Sequence, residues 1–288
     1  MRKWSLALMS YKEIAAIPKA RSVLLLPIGC VEQHGPAGFT GADTILAEYV
    51  CRHTAEALEH VYVAPPLWFG YTPYTAFPGT VTLRLETLRA VIQDVLDGYF
   101  SHGFRHFVLV NNHGPNEAAI EPVAREMQQR HGLILSILYP WQLAYHVARD
   151  ITPDADQVYG HGGEPTISVM MALAPEAVTR DGHPERRGYV PSDGPIAVTS
   201  YRGARFQGFE VGLFSDVTTV LPSGASGEWT VASEQRGRQI LERLVAYARE
   251  FVPAYLRLSQ EAQRRHGSAE KATGAPGRGR GRLPPVIE

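Results

Sequence analysis

Glu32 and His34 lie two residues apart in Leu25-Leu26-Pro27-Ile28-Gly29-Cys30-Val31-Glu32-Gln33-His34-Gly35-Pro36, directly after an apolar run. Residues i and i+2 of an extended segment point to one side, so a carboxylate and an imidazole here can face one cation together. Asp43 follows in Gly41-Ala42-Asp43-Thr44, His113 in Val110-Asn111-Asn112-His113-Gly114, and Glu164 in His161-Gly162-Gly163-Glu164. Three carboxylates and two imidazoles suffice for two divalent metals, and such mixed ligands suit Zn, Mn or Fe. A carboxylate can bridge two ions about 3.5–4 Å apart, and Asp43 is the candidate bridge.

Each of these residues has an ordinary alternative. Asp43 precedes a helical stretch and could be its N-cap. Glu164 precedes Pro165, which suits a first helical turn, so it could sit as a carboxylate at a positive helix end. Glu32 alone could pair with a cation side chain, and a lone His34 could be a hydrogen-bonded structural residue. Asn112 and Gly114 beside His113 let the backbone approach a ligand closely, which a core histidine would not need. Asn111 and Asn116 read as loop-orienting residues. His161 can give or take a proton near neutral pH. Tyr71, Tyr74 and Phe77 are candidates to line a substrate pocket or, equally, to fill core, and Trp141 and Tyr145 pose the same choice.

The elements that must position these side chains follow from the hydrophobic pattern. Apolar runs at Ser22–Pro27, His60–Ala64, His106–Asn111 and Leu133–Tyr139 are short and nearly continuous, as in strands covered on both faces. Helical stretches from about Thr44 to Leu58, Thr87 to His102 and Glu117 to Arg130 alternate with them. That order predicts an α/β fold, a three-layer αβα sandwich with a mostly parallel sheet. Ligands of such sheets bind beyond the carboxyl ends of strands, where Glu32, His34 and His113 fall. A Gly/Pro-rich section from Gly182 to Gly208 reads as loops and short strands, and Glu228 to Leu258 as a long helix. One domain over 1–262 is expected, with a Gly/Arg/Pro-rich, disordered tail over 263–288.

Composition narrows the class. With 288 residues, 44% hydrophobic and 20% charged, and a net charge of -1, the chain is ordinary for a soluble protein and carries no general attraction to nucleic acid or anionic membrane. The broken N-terminal apolar stretch reads as no signal peptide, and no run approaches the roughly 20 apolar residues of a membrane span. Cys30 and Cys51 have no ligand-type spacing and read as free thiols of a cytoplasmic protein.

Taken together, the motifs resemble those of the creatininase family, the creatinine amidohydrolases. They are Glu32-Gln33-His34-Gly35-Pro36, Gly41-Ala42-Asp43-Thr44, Phe77-Pro78-Gly79-Thr80, Asn111-Asn112-His113-Gly114-Pro115-Asn116, His161-Gly162-Gly163-Glu164 and Ala232-Ser233-Glu234-Gln235-Arg236-Gly237. The resemblance spans roughly residues 10 to 250. It implies one α/β domain, a two-metal centre, a homo-oligomer (a hexamer in the family) and hydrolysis of cyclic amides or other C–N bonds by a metal-bridging hydroxide. It matches Glu32, His34, Asp43 and His113 to metal ligands, with Asp43 bridging, and His161 to the proton-transfer histidine. The family's archetype carries a Glu ligand where this chain has Pro115, so the fifth ligand is expected from Glu164. Thr166 stands where relatives often have a second Glu. These departures turn the expected substrate away from creatinine, toward another cyclic amide, a formamide, a modified peptide or a cyclic sugar derivative. A catalytically silent scaffold is the alternative of another class.

Overall fold

The computed structural model describes residues 3–179, 189, 194–200 and 202–273. The short α1 (Tyr11–Ala15) is fixed by a capping box in which Ser10 and Glu13 bond reciprocally. Then come β1 (Val23–Ile28), α2 (Ala42–Ala57), β2 (Val61–Val63), α3 (Leu85–Ser101), β3 (His106–Asn111), α4 (Glu117–His131) and β4 (Ser136–Leu138). These strands form one sheet in the order β2-β1-β3-β4, and every pairing is parallel. After them follow α5 (Pro140–Val147), the single-turn α6 (Ala155–Val158) and α7 (Thr166–Leu173). An antiparallel sheet of β5 (Ile196–Ser200), β6 (Gly203–Phe206) and β7 (Phe209–Gly212) precedes the short α8 (Val217–Val220) and the long α9 (Glu234–Thr273).

The continuous apolar runs are explained by burial on both faces. Val23, Leu25, Val108 and Val110 point to one face, where Leu46 and Val50 of α2 and Ile240 and Leu244 of α9 cover them. Leu24, Leu26, Phe107 and Leu109 point to the other, under Leu88 and Ile92 of α3 and Ile120 and Val123 of α4. The alternation of a pleated strand thus feeds two cores. The expected three-layer α/β fold is present, with a parallel central sheet.

Boundaries differ where local contacts intervene. β4 covers only Ser136–Leu138 of the expected Leu133–Tyr139, because only those residues pair with Val108–Val110. α9 starts later than Glu228, since the Glu228 carboxylate accepts from the backbone and hydroxyl of Thr230 and holds a turn. It then runs to Thr273, past the expected start of the tail at 263, on a stretch rich in good helix formers. Residues 274–288 of that tail lie outside the described residues, as does much of the Gly182–Gly208 section, whose described part contains β5 and β6.

The chain direction positions the site. From β1 the chain moves outward to β2, then returns through α3 to the opposite side of β1 as β3. A crevice opens where the order reverses, beyond the carboxyl ends of β1 and β3. Gly29 at the end of β1 packs so closely on the start of α2 that a Cβ there would overlap the backbone nitrogen and hydroxyl of Thr44. Gly29→Ala is therefore expected to push α2 away and to destabilise the fold by about 2 kcal/mol, as overpacking does. Thermal unfolding and metal content measured on the same preparation should both fall; an unchanged melting temperature would contradict this close packing.

Candidate metal centre

Asp43 lies in the first turn of α2, not at its N-cap, which is Gly41. Its side chain is therefore free of the capping role and turns toward the crevice. Oδ1 lies 3.3 Å from Nε2 of His34 and accepts from the indole N–H of Trp141 at 2.6 Å. Oδ2 lies 3.0 Å from Nδ1 of His113 and accepts from the Cys30 thiol at 3.0 Å. One carboxylate thus presents an oxygen to each histidine. Glu32 stands beside it, 3.5 Å from Nε2 of His113, with the hydroxyl of Thr72 donating to its Oε2.

The surrounding loops are stitched so that these groups converge. Asn116 donates to the carbonyl of Gly29 at 2.9 Å and accepts from the backbone of Tyr71, while Asn111 donates to the carbonyl of His113 at 2.8 Å. Asn112 links α2 and α5 by donating to the carbonyl of Asp43 and accepting from the backbone of Trp141. The four central groups are deeply buried, with 1–5% of each residue exposed. Among the described residues, no Lys or Arg pairs with Glu32 or Asp43. Two buried carboxylates need compensation, and here imidazoles alone offer it.

The hydrogen bonds also orient the rings. Nδ1 of His34 meets the carbonyl of Glu32 at 3.0 Å, which assigns its proton there and turns Nε2 toward Asp43. Nε2 of His113 meets the carbonyl of Tyr71 at 3.0 Å, which turns Nδ1 toward the same carboxylate. A neutral ring nitrogen facing a carboxylate is repulsive unless a proton or a metal cation lies between them. Backbone carbonyls on the far nitrogens are also how metal-binding histidines are held. The donor set therefore fits divalent cations, which Glu32, His34, Asp43 and His113 could hold.

Charge balance agrees. Burial opposes the charged form of His113, but Glu32 and Asp43 outweigh it and lift the ring to about 9. Burial likewise works against a charged His34, and Asp43 and Glu32 raise it in the same way. Asp43 resists burial and is held well below the usual range by His34 and His113, whereas burial raises Glu32. Burial and the neighbouring Asp43 and Glu32 push the Cys30 thiol upward, so without a cation it keeps its proton.

His161 flanks the centre, its Nε2 3.7 Å from Oε1 of Glu32 and 2.9 Å from the carbonyl of Gln33. Its ring is stacked between His34, at 4.9 Å, and Tyr74, at 4.8 Å. Burial and the nearby His34 lower it to about 3, which keeps it neutral. These groups open on a cavity of about 320 Å³, lined also by Trp141, Tyr145, Thr166 and Pro115.

Other expected residues fall elsewhere. Glu164, expected as the fifth ligand, meets Ser168 at 2.6 Å and Arg236 of α9 through Oε1. It lines neither the cavity nor the donor clusters found among the described residues, and its Oε2 has no hydrogen-bond partner there. Of the aromatic pocket candidates, Tyr74, Trp141 and Tyr145 line the cavity and Tyr71 and Phe77 do not. Tyr71 contributes its carbonyl to His113, and Phe77 packs behind Tyr74 at 6.4 Å. Sequence reasoning did not single out the Cys30 thiol or the Trp141 indole as partners of Asp43. Nothing local marks them; Trp141 lies 98 residues from Asp43.

The raised His113 sets a sign. Its folded value of about 9 against 6.5 adds stability to the metal-free protein below 6.5, and this is lost as pH rises through 9. Melting temperatures of the chelator-treated protein should fall across that window, and metal affinity should rise as the competing proton leaves. A flat profile in both measurements would contradict the arrangement.

The creatininase family model, described as creatinine amidohydrolase, matches residues 7–252. The chain is 27% identical over 261 residues to a 3-dehydro-scyllo-inosose hydrolase of Thermotoga maritima, covering 85% of this chain and 81% of that one. It is 28% identical over 267 residues to a creatinine amidohydrolase of Pseudomonas putida, covering 85% and 96%. A mycofactocin precursor peptide peptidase of Mycobacterium ulcerans is 25% identical over 240 residues, covering 80% and 84%. Among solved structures, a mutant creatininase described as Zn-Zn type superposes with a TM-score of 0.68 at 26% identity, covering 88% of this chain and 100% of that one. The chain belongs to the creatininase family.

Proposed function

We propose that this protein is a hydrolase that uses two divalent cations, Zn, Mn or Fe, to cleave a C–N bond of a cyclic amide or a related small molecule. The observation that carries this reading is the Asp43 carboxylate, with one oxygen toward His34 and the other toward His113. Such a carboxylate is built to be shared between two ions. When bound, the cations would make water acidic near neutral pH and polarise a carbonyl. The zinc form of a creatininase relative supports the metal class.

The chain's own residues supply the rest. Glu32, His34 and His113 hold their side of the site through hydrogen bonds from Thr72 and to the carbonyls of Glu32 and Tyr71. His161, beside the Glu32 carboxylate, is the residue that would carry a proton to the departing nitrogen. Gln33 keeps that ring in place: its side-chain nitrogen lies 3.1 Å from Nε2 of His161 and donates to the carbonyl of Gly224 at 3.0 Å. Tyr74 stacks on the same ring and narrows the cavity beside it. Glu164 acts from behind as the partner of Arg236, tying α9 to the His161 loop.

The cavity wall supports the substrate reading. Pro115 and Thr166 bring no charge where the resemblance places carboxylates, which favours a substrate other than creatinine. The inosose hydrolase and the mycofactocin peptidase among the relatives keep a cyclic sugar derivative and a modified peptide as the second reading. We further propose a cytoplasmic homo-oligomer; among the described residues, no helix is long and apolar enough to cross a membrane.

The test is a screen of the metal-reloaded protein against cyclic amides, lactams, imides, formamides, short peptides and cyclic polyhydroxy ketones. Hydrolysis of one class that stops on chelation and returns with metal is expected; no turnover on any class with metal bound would favour the silent scaffold. On the best substrate, His161→Asn should lower kcat roughly 100-fold or more with metal content intact, as expected when a proton carrier is lost. Full activity in that variant would remove His161 from the mechanism.

A further inference from the structure

Cys30 stands between the end of β1 and Glu32, completely buried, with Sγ 3.0 Å from Oδ2 of Asp43. Its sulfur, a carboxylate oxygen of Glu32 and a ring nitrogen of His113 all lie within 4.8 Å of one another. Bonds of about 2.0–2.3 Å from one zinc-like ion nearly span such separations, so modest side-chain adjustment brings all three into one coordination sphere. Pro115 has no ligating atom, and Glu164, which meets Ser168 and Arg236 through Oε1, does not line the cavity. Cys51, the other cysteine, is buried in the core against α9 and leaves Cys30 unpaired in a disulfide sense.

We propose that Cys30 is itself a ligand of the centre, binding through Sγ the cation that Glu32, Asp43 and His113 face. This assignment rests on the two-metal reading above. Without metal the thiol donates to Asp43; a bound dication stabilises the thiolate directly and reverses that preference. Coordination breaks the S–H bond, forms a sulfur–metal bond and releases the proton to solvent, with no change in oxidation state. A soft sulfur donor strengthens binding of Zn or Co more than of Mn, so Cys30 sets which metal this protein keeps. An oxygen or methyl side chain at the same position would not discriminate in this way.

The full chain, stripped with chelator and reloaded with Co(II), provides the test. The parent should show thiolate-to-cobalt charge-transfer absorption in the near ultraviolet, and Cys51→Ser should retain it. Cys30→Ser should bind cobalt without that absorption. Its Zn affinity should fall roughly tenfold or more, the scale of losing a ligand-shell group, while Mn affinity changes by less than about threefold. Bound cobalt without the absorption in the parent would overturn the Cys30 assignment and leave the metal centre standing. A parent that binds no cobalt would overturn both. The parent spectrum alone decides even if Cys30→Ser fails to fold.

Discussion

Two buried carboxylates facing two buried imidazoles, with no Lys or Arg beside them among the described residues, constrain everything else in this structure. Asp43 is the hinge of that cluster, since each of its oxygens meets a different histidine. Isolated charges at such depth are strongly unfavourable, and hydrogen bonds from Trp141 and Cys30 relieve only part of the demand. The remaining balance must come from protons on the imidazoles or from cations. The backbone carbonyls on the far ring nitrogens turn the other nitrogens inward, an orientation compatible with either.

The fold supplies the rigidity that this cluster requires. β1 and β3 are adjacent parallel strands buried on both faces, so the loops leaving them start from fixed points. The reversal of strand order between them opens the crevice, and α2 begins inside it with Asp43 in its first turn. The positive end of that helix adds to the stability of the Asp43 carboxylate. Asn111, Asn112 and Asn116 then join loops that are far apart in the chain, around carboxylate and imidazole atoms 3.0–3.5 Å from one another.

Much of this was legible in the sequence, for identifiable reasons. The run His106–Asn111 reads as a strand because it is short and nearly continuously apolar, and the structure ends the strand at the same asparagine. The Glu32 and His34 spacing survives as convergence on one centre, though their rings and carboxylates meet through Asp43 and His113 rather than through simple alternation. Asp43 had two readings that local pattern could not separate; only the helix start at Ala42 removes the capping role. Glu164 shows the converse limit. Its partner Arg236 lies 72 residues away on α9, and no local spacing announces such a pair. The roles of Cys30 and Trp141 were hidden too, since a free thiol and an aromatic that suits pocket or core do not announce a carboxylate partner.

The proposed two-metal centre depends on Asp43 joining both ions, and counting metal per chain in the native protein and in Asp43→Ala tests that most directly. Elemental analysis should find about two divalent ions per chain in the native protein and close to none in the variant, with both proteins folded by circular dichroism. A native protein without tightly held metal, or a variant that keeps its full complement, would contradict it.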